Sequence, residues 1–198
     1  MSYRTIAVGA LILGTLAVAP AVVHQIYSSE PVMHSVLVSP QGSVETNITL
    51  GEPSKRGRMK LEISRSDGTT ETVELQKANA YPVEGGGLKY MFPTNTERRS
   101  YPWADEDPVD YVDAEFINDT KVYKFANQDT AVWVEPKSGT LVDMYTHGAR
   151  WDEQTKAQQW AVATPHIRVL KILDVTRYFG FILGGLLVFL GVVRHMRS

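Results

Sequence analysis

Carboxylates crowd one stretch of this sequence: Asp105, Glu106, Asp107, Asp110, Asp113 and Glu115 lie close together after Trp103. Oxygen ligands at that density suit Ca²⁺. A calcium loop, however, wants oxygens at alternate positions, a glycine at the sixth and a glutamate at the twelfth. Counted from Asp105, Val109 and Asp110 hold the fifth and sixth positions, so the pattern fails. The expectation is a solvated acidic loop.

The histidines, His24, His34, His147, His166 and His195, show no H-x-x-x-H or H-E-x-x-H spacing. A zinc site assembled across the fold stays open as an alternative. The absence of cysteine removes thiolate ligands and cysteine nucleophiles. There is no G-x-S-x-G elbow, and the run Gly85–Gly87 is not followed by the lysine and Ser/Thr of a phosphate loop. The expectation is a protein that is not an enzyme and carries no cofactor and no metal.

Residues suited to contact rather than catalysis are easier to find. Gly180, Gly184, Gly185 and Gly191 thin an apolar segment, and Gly180 to Gly184 is a literal G-x-x-x-G, the spacing that lets helices approach closely. Gly9 and Gly14 stand ready opposite, so the two apolar segments pack on each other, on a partner helix, or both. Trp151 and Trp160 are placed to face a neighbour or lipid headgroups, while Trp133 reads as core. Asn47-Ile48-Thr49 and Asn118-Asp119-Thr120 match a glycosylation sequon, the second at a turn whose own chemistry explains it equally well.

The elements that must position these residues start from the C-terminal apolar run, Tyr178 to Val193, closed by Arg194 and Arg197. Alone it falls slightly short of a ~30 Å hydrocarbon core. The run-in Val169 to Val175 supplies the missing turns, with Arg177 snorkelling to the headgroups. The N-terminal run Ile6 to Val23 reads either as a secretory signal with Ala19-Pro20-Ala21 as cleavage site or as an uncleaved anchor. Its length favours the anchor. All 22 Asp and Glu lie between Glu30 and Arg177, with 17 of the 20 Lys and Arg, which leaves Arg4, Arg194 and Arg197 outside the apolar runs. By the positive-inside rule this is a two-pass plasma-membrane protein with both termini cytoplasmic and an acidic domain outside. Nucleic acid, which needs a basic footprint, is excluded as a partner.

The middle reads as β. Val32–Val38, Met59–Ser64, Glu71–Leu75, Val112–Ile117, Lys121–Phe125, Thr130–Val134 and Thr140–Tyr145 are strand-like, with turns at Ser66-Asp67-Gly68, Asn118-Asp119 and Pro136–Gly139. Successive hairpins imply an antiparallel meander, curled or half covered. From Trp151 helix formers take over, interrupted at Pro165 by a kink or a new helix start. The fold class expected is a membrane-anchored all-β or α+β protein: a transmembrane helix or signal-anchor over 1–23, an exterior antiparallel β-rich domain over 24–150, a juxtamembrane helix over 151–176 continuous with a transmembrane helix and basic tail over 177–198.

Three segments carry a family resemblance: Tyr90–Tyr101, with Phe92-Pro93 and Asn95-Thr96; Asp110–Phe125, with Tyr123-Lys124-Phe125; and Val132–Asp143, with Trp133-Val134-Glu135-Pro136-Lys137-Ser138-Gly139. They resemble the FP-x-(N/D)-T…Y segment, the Y-x-F strand and the W-V-(D/E)-P-x-(S/T)-G turn of actinobacterial two-pass envelope proteins catalogued as porin PorA-like, over about Tyr90 to Arg194. Many members of that family are longer and carry more of this β unit. The resemblance implies topology and source, and no catalytic residue. The function expected is a non-catalytic accessory or structural subunit of a cell-envelope membrane complex, with lipids and other membrane subunits as partners. The alternative is a pore-forming or lipid-handling transport component, with a lipid or small molecule as ligand.

Overall fold

The computed structural model describes residues 4, 6–16, 30–104 and 106–196, apart from the side chain of Asp174. The chain divides into two compact units, one of Met1–Tyr27 with Ile167–Ser198 and one of Ser28–His166.

The second unit is one antiparallel sheet. Its strands are β1 (His34–Ser39), β2 (Gly42–Gly51), β3 (Arg58–Arg65), β4 (Thr70–Gln76), β5 (Tyr101–Trp103), β6 (Glu106–Ile117), β7 (Thr120–Ala126), β8 (Thr130–Glu135), β9 (Thr140–Thr146) and β10 (Ala149–Trp151). The spatial order is β4-β3-β2-β1-β10-β9-β8-β7-β6-β5. Two meanders are therefore joined edge to edge by β1 and β10, through the pairs Leu37 with Trp151 and Val38 with Arg150. The hairpins expected at Ser66–Gly68, Asn118-Asp119 and Pro136–Gly139 are present. Asn118 and Asp119 both take positive φ (48° and 56°), the conformation that tight hairpin turns require.

β4 and β5 are consecutive in sequence yet occupy opposite edges, and the connection between them closes the sheet. It pairs with β4, where Gln76 N–H donates to the Tyr81 carbonyl (2.8 Å) and Val83 N–H to Glu74 (2.7 Å). It then pairs with β5, where Leu88 N–H donates to Pro102 (2.8 Å) and Ala104 N–H to Leu88 (3.0 Å). Gly87 allows this approach, because a Cβ there would collide with the Pro102 and Trp103 backbone. Past Leu88 the chain contributes Met91 and Phe92 to the interior. Phe92 stacks on Phe125 (5.3 Å between centroids) and meets Tyr101 edge-on (5.3 Å), with Trp103 at 6.1 Å. One core cluster takes Leu61, Ile63 and Leu75 from one meander and Val109, Phe125, Val132, Val134 and Leu141 from the other. The interior is filled by side chains.

α2 (Glu153–Met196) starts directly after β10 and runs for 44 residues. Asp152 caps it: its Oδ1 accepts the Thr155 N–H (2.7 Å) and its carbonyl the Lys156 N–H (3.2 Å). Those Thr155 bonds hold the Asp152 carboxyl below its usual range. A carboxylate depressed in the folded state contributes stability above its unfolded pKa of about 3.9, which is lost as pH falls through the lower folded value. Asp152→Ala is accordingly expected to lose about 1 kcal/mol at neutral pH. Asp152→Asn keeps most of the cap, and its stability difference from the parent should shrink as pH drops below about 4, read by denaturant titration at several pH values. Pro165, expected to interrupt the helix, lies within it. It is exposed, so its ring meets no packed neighbour, and it forgoes one backbone bond.

The first unit contains α1 (Ile6–Leu16), a short apolar helix, and the membrane-compatible part of α2, the helix long and apolar enough to cross a bilayer among those described. Phe179, Ile182, Leu183, Leu186, Phe189 and Leu190 are all more than half exposed, as a lipid-facing surface would be. The cleavage-like Ala19-Pro20-Ala21 and His24 lie outside the described residues.

Candidate functional site

The three segments singled out by resemblance meet in one place. Phe92 N–H donates to the Gly139 carbonyl (3.0 Å), Asn95 N–H to Lys137 (3.1 Å) and Thr96 N–H to Pro136 (2.7 Å). The Thr96 hydroxyl turns back onto the Pro93 carbonyl (2.7 Å), and Glu97 N–H donates to the Tyr101 phenol oxygen (2.9 Å). Asn95 sits at φ 56°, which asparagine tolerates better than most residues. The partner turn is organised by Glu135, 3% exposed, whose carboxylate accepts the N–H groups of Lys137 (3.2 Å) and Ser138 (2.7 Å) and the Ser138 hydroxyl (2.7 Å). Gly139 stands at φ 74° against the Phe92 and Pro93 carbonyls. The two motifs are thus halves of a backbone clasp that holds the interior segment in the sheet. What they do chemically is satisfy buried polar groups.

The acidic stretch is a correction. Glu106–Ile117 is strand β6, not a solvated loop, because outward strand positions accept charge while alternate positions bury Val109 and half-bury Tyr111. Its carboxylates are engaged singly: Glu106 with His147 (3.1 Å) and the Thr130 hydroxyl (3.2 Å), Asp110 with the Ser100 hydroxyl, Glu115 with the Trp133 indole N–H (2.9 Å). Asp105 lies outside the described residues. His34 meets Asn47 (2.9 Å), and His166 lies 3.7 Å from Glu30. Among the described residues no group of His, Asp and Glu is arranged to hold a metal ion.

The tryptophans also differ from expectation. Trp151 is 3% exposed and belongs to the core, so it faces no neighbour. Strand alternation at the junction of β10 with β1 turns it inward, and its indole N–H finds no hydrogen-bond acceptor among the described residues. Trp160 is half-buried on α2. Trp133, expected in the core, takes the outer face of β8, flanked by Lys124 (5.1 Å) and Arg150 (5.6 Å) over its ring. Arg150 in turn pairs with the buried Asp143, which Lys156 of α2 approaches to 3.8 Å. This ties β9, β10 and α2 together.

The candidate glycines separate by face. A Cβ on Gly184 would lie 2.9 Å from Leu13, one on Gly9 2.9 Å from the Gly184 carbonyl, and one on Gly180 would collide with Leu16. Gly191 is buried. Gly185 opens to space, as does Gly14, so neither lines this contact. Gly184→Ile is expected to lower the melting temperature of the detergent-solubilised chain. Gly185→Ile should leave it within about 0.5 kcal/mol of the parent, as exposed substitutions do.

Two grooves flank β4. One of about 530 Å³ is lined by Glu52, Ser54, Lys60, Glu71, Glu74 and Glu84, and a second of about 190 Å³ runs by Gly85–Gly87, Lys89 and Tyr90. Glu74 already accepts from Ser54 and Arg58. Glu71 accepts from Arg65 (2.6 Å) and the Tyr90 phenol (3.1 Å). Burial works against the Glu71 carboxylate, but the Arg65 bond, Lys89 and Tyr90 outweigh it and hold it below its usual range. Burial, with Glu71 beside it, pushes the Tyr90 phenol up, so it remains a donor. Val73 and Val83 line the first groove beside these carboxylates, and Val73, Leu75, Pro82 and Ala104 the second, so both mix charged and apolar surface.

No family model matches this chain. Over 81 residues it is 38% identical to Porin PorA of Corynebacterium resistens, a match that covers 38% of this chain and 20% of that protein. The chain thus spans about a fifth of the length of the curated relative it matches, and the similarity points to a cell-envelope membrane location.

Proposed function

We propose that this is a non-catalytic accessory or structural subunit of the cell envelope, anchored by α1 and α2, whose β-domain serves as a rigid platform for a larger membrane assembly. The observation that carries this reading is the closed, filled sheet. Its interior is occupied by Phe92, Tyr101, Trp103 and Phe125, and its strand exteriors carry ion pairs such as Lys60 with Glu62 and Arg65 with Glu71. A lipid-facing barrel would instead present an apolar exterior around a polar lumen. Along α2 the side away from α1 offers Gly185 beside large apolar residues, a surface suited to a partner helix as well as to lipid.

The similarity to a protein named a porin favours a second reading, a pore component. On that reading conduction would run between helices of several copies rather than through the β-domain. Gentle detergent extraction with a C-terminal tag, followed by native mass spectrometry, separates the two. A stoichiometric set of different membrane subunits supports the platform reading. A homo-oligomer that conducts in planar bilayers replaces it with the second, and a lone non-conducting monomer sinks both.

A further inference from the structure

The sheet has two ends of opposite charge. Strand direction places them: Glu30 precedes β1, and α2 runs from the level of Val36, whose N–H donates to Thr155 Oγ1 (2.9 Å), to that of Glu30, paired with His166. The end where the chain comes in and α2 leaves is here the proximal end. By antiparallel alternation it also carries the β2–β3 and β8–β9 loops, the β6–β7 turn and the segment before β5. With Lys77 just after β4 and Glu30 at the chain's entry, this end holds Lys55, Arg56, Lys77, Arg98, Arg99 and Lys137 against Glu30, Glu52, Glu97 and Asp119. Glu97 is paired with Arg99 (3.1 Å). The distal loops hold Asp67, Glu84 and Asp129, and the cations nearest them, Arg65 at the end of β3 and Lys89 beside Leu88, are both paired with Glu71. The domain is acidic as a whole, so this basic end is a local reversal.

The proximal end also carries Phe116, the most exposed large apolar side chain of the β-domain at 75%. It sits one residue before the turn region of the β6–β7 hairpin and pairs across it with exposed Lys121. Strand alternation would turn Phe116 toward the core side, yet at the tip of the hairpin its ring stays uncovered. Leu50, at the end of β2, is exposed at the same end of the sheet (58%). Cations ringing an exposed aromatic are the residue types that seat a protein on an anionic bilayer: the ring partitions into the headgroup layer, and Lys and Arg attract phosphate.

We infer that the proximal end of the β-domain docks on an anionic lipid surface, with Phe116 seated at headgroup level and the Lys55, Arg56 and Lys137 loops holding it there. This rests on the reading that α1 and α2 anchor the chain in a membrane. The cysteine-free sequence makes the test clean. The full chain would carry one cysteine at a time, as Phe116→Cys, Gln128→Cys or Leu186→Cys, bearing an environment-sensitive fluorophore in vesicles of phosphatidylglycerol mixed with phosphatidylcholine or of phosphatidylcholine alone. Lipid-borne and aqueous quenchers then report depth.

The expected result is that the label at 116 is reached by the lipid quencher in anionic vesicles and much less in neutral ones, while the label at 128, in a distal loop, stays aqueous in both. Removing a cation should reduce the docked population about fivefold per charge, so Lys55→Glu with Arg56→Glu should expose the label at 116 to the aqueous quencher. The label at 186 reports the anchor. If it is aqueous, the membrane reading itself fails. If it is in lipid while 116 is aqueous in anionic vesicles, the docking inference alone is overturned. A label at 116 shielded equally in detergent and in both vesicle types marks a protein contact, and likewise overturns it.

Discussion

Gly139→Ala is expected to destabilise the β-domain by about 3 kcal/mol or more, far beyond what a left-handed glycine alone accounts for. Gly68 supplies the comparison. It has φ 88° but open space around it, so Gly68→Ala meets only the backbone preference, about 1 kcal/mol. At Gly139 the new Cβ would lie 2.7 Å from the Pro93 carbonyl oxygen and still closer to that of Phe92. Neither side can yield freely. Gly139 accepts from Phe92 N–H, and its own N–H donates to the Glu135 carbonyl (2.9 Å). Relief therefore means opening the clasp and exposing the buried Glu135 carboxylate arrangement. Denaturant unfolding of the full chain in detergent, followed by tryptophan fluorescence, compares the two variants. Equal losses would mean that the clasp contributes nothing beyond turn geometry.

The second large effect is at Phe92, the side chain the clasp delivers. It is fully buried and touches Tyr101, Trp103 and Phe125. Phe92→Ala is expected to lose about 3–5 kcal/mol, the range for emptying an aromatic site that cannot collapse. Phe92→Leu keeps most of the volume and forgoes the ring–ring contacts, so about 1–2 kcal/mol is expected. The ordering is what tests the description. If the segment Leu88–Phe92 were a surface strap, both substitutions would fall within about 0.5 kcal/mol of the parent in the same titration. A loss at Phe92 as large as at Gly139, without additivity in the double variant, would show that the two act as one unit.

The platform reading depends on these two positions. On that reading a sheet whose interior segment is held at both ends would keep its shape under load, because close-packed interiors have low compressibility. The Asp143–Arg150–Lys156 contacts and the Asp152 cap extend that rigidity into the helix.

Much of the secondary structure was legible from local rules. Ser66-Asp67-Gly68 and Asn118-Asp119 are turn chemistry, and the strands around them alternate with period two. β2 is masked in the sequence although Val44, Thr46, Ile48 and Leu50 alternate, because Ser43 and Asn47 among its other positions also favour turns. β5 and β10 are three residues each, too short to show any period. The carboxylate-rich stretch reads as a loop by composition, although the alternation from Val109 onward fits a strand. Trp151 and Trp133 exchanged expected places for a related reason: which face of a strand is inside is set by partners far away in sequence.

By itself the sequence determined where the apolar helix and the hairpin turns fall, since each rests on contacts within a few residues or on composition alone. Only the tertiary structure decided that β1 pairs with β10, that β4 and β5 lie at opposite edges, and that the connection between them enters the sheet's interior and locks onto the Glu135–Gly139 turn. Those contacts join residues tens of positions apart. Local propensity says nothing about which such closures form; the burial of Phe92 and the satisfaction of its backbone by Gly139 select this one.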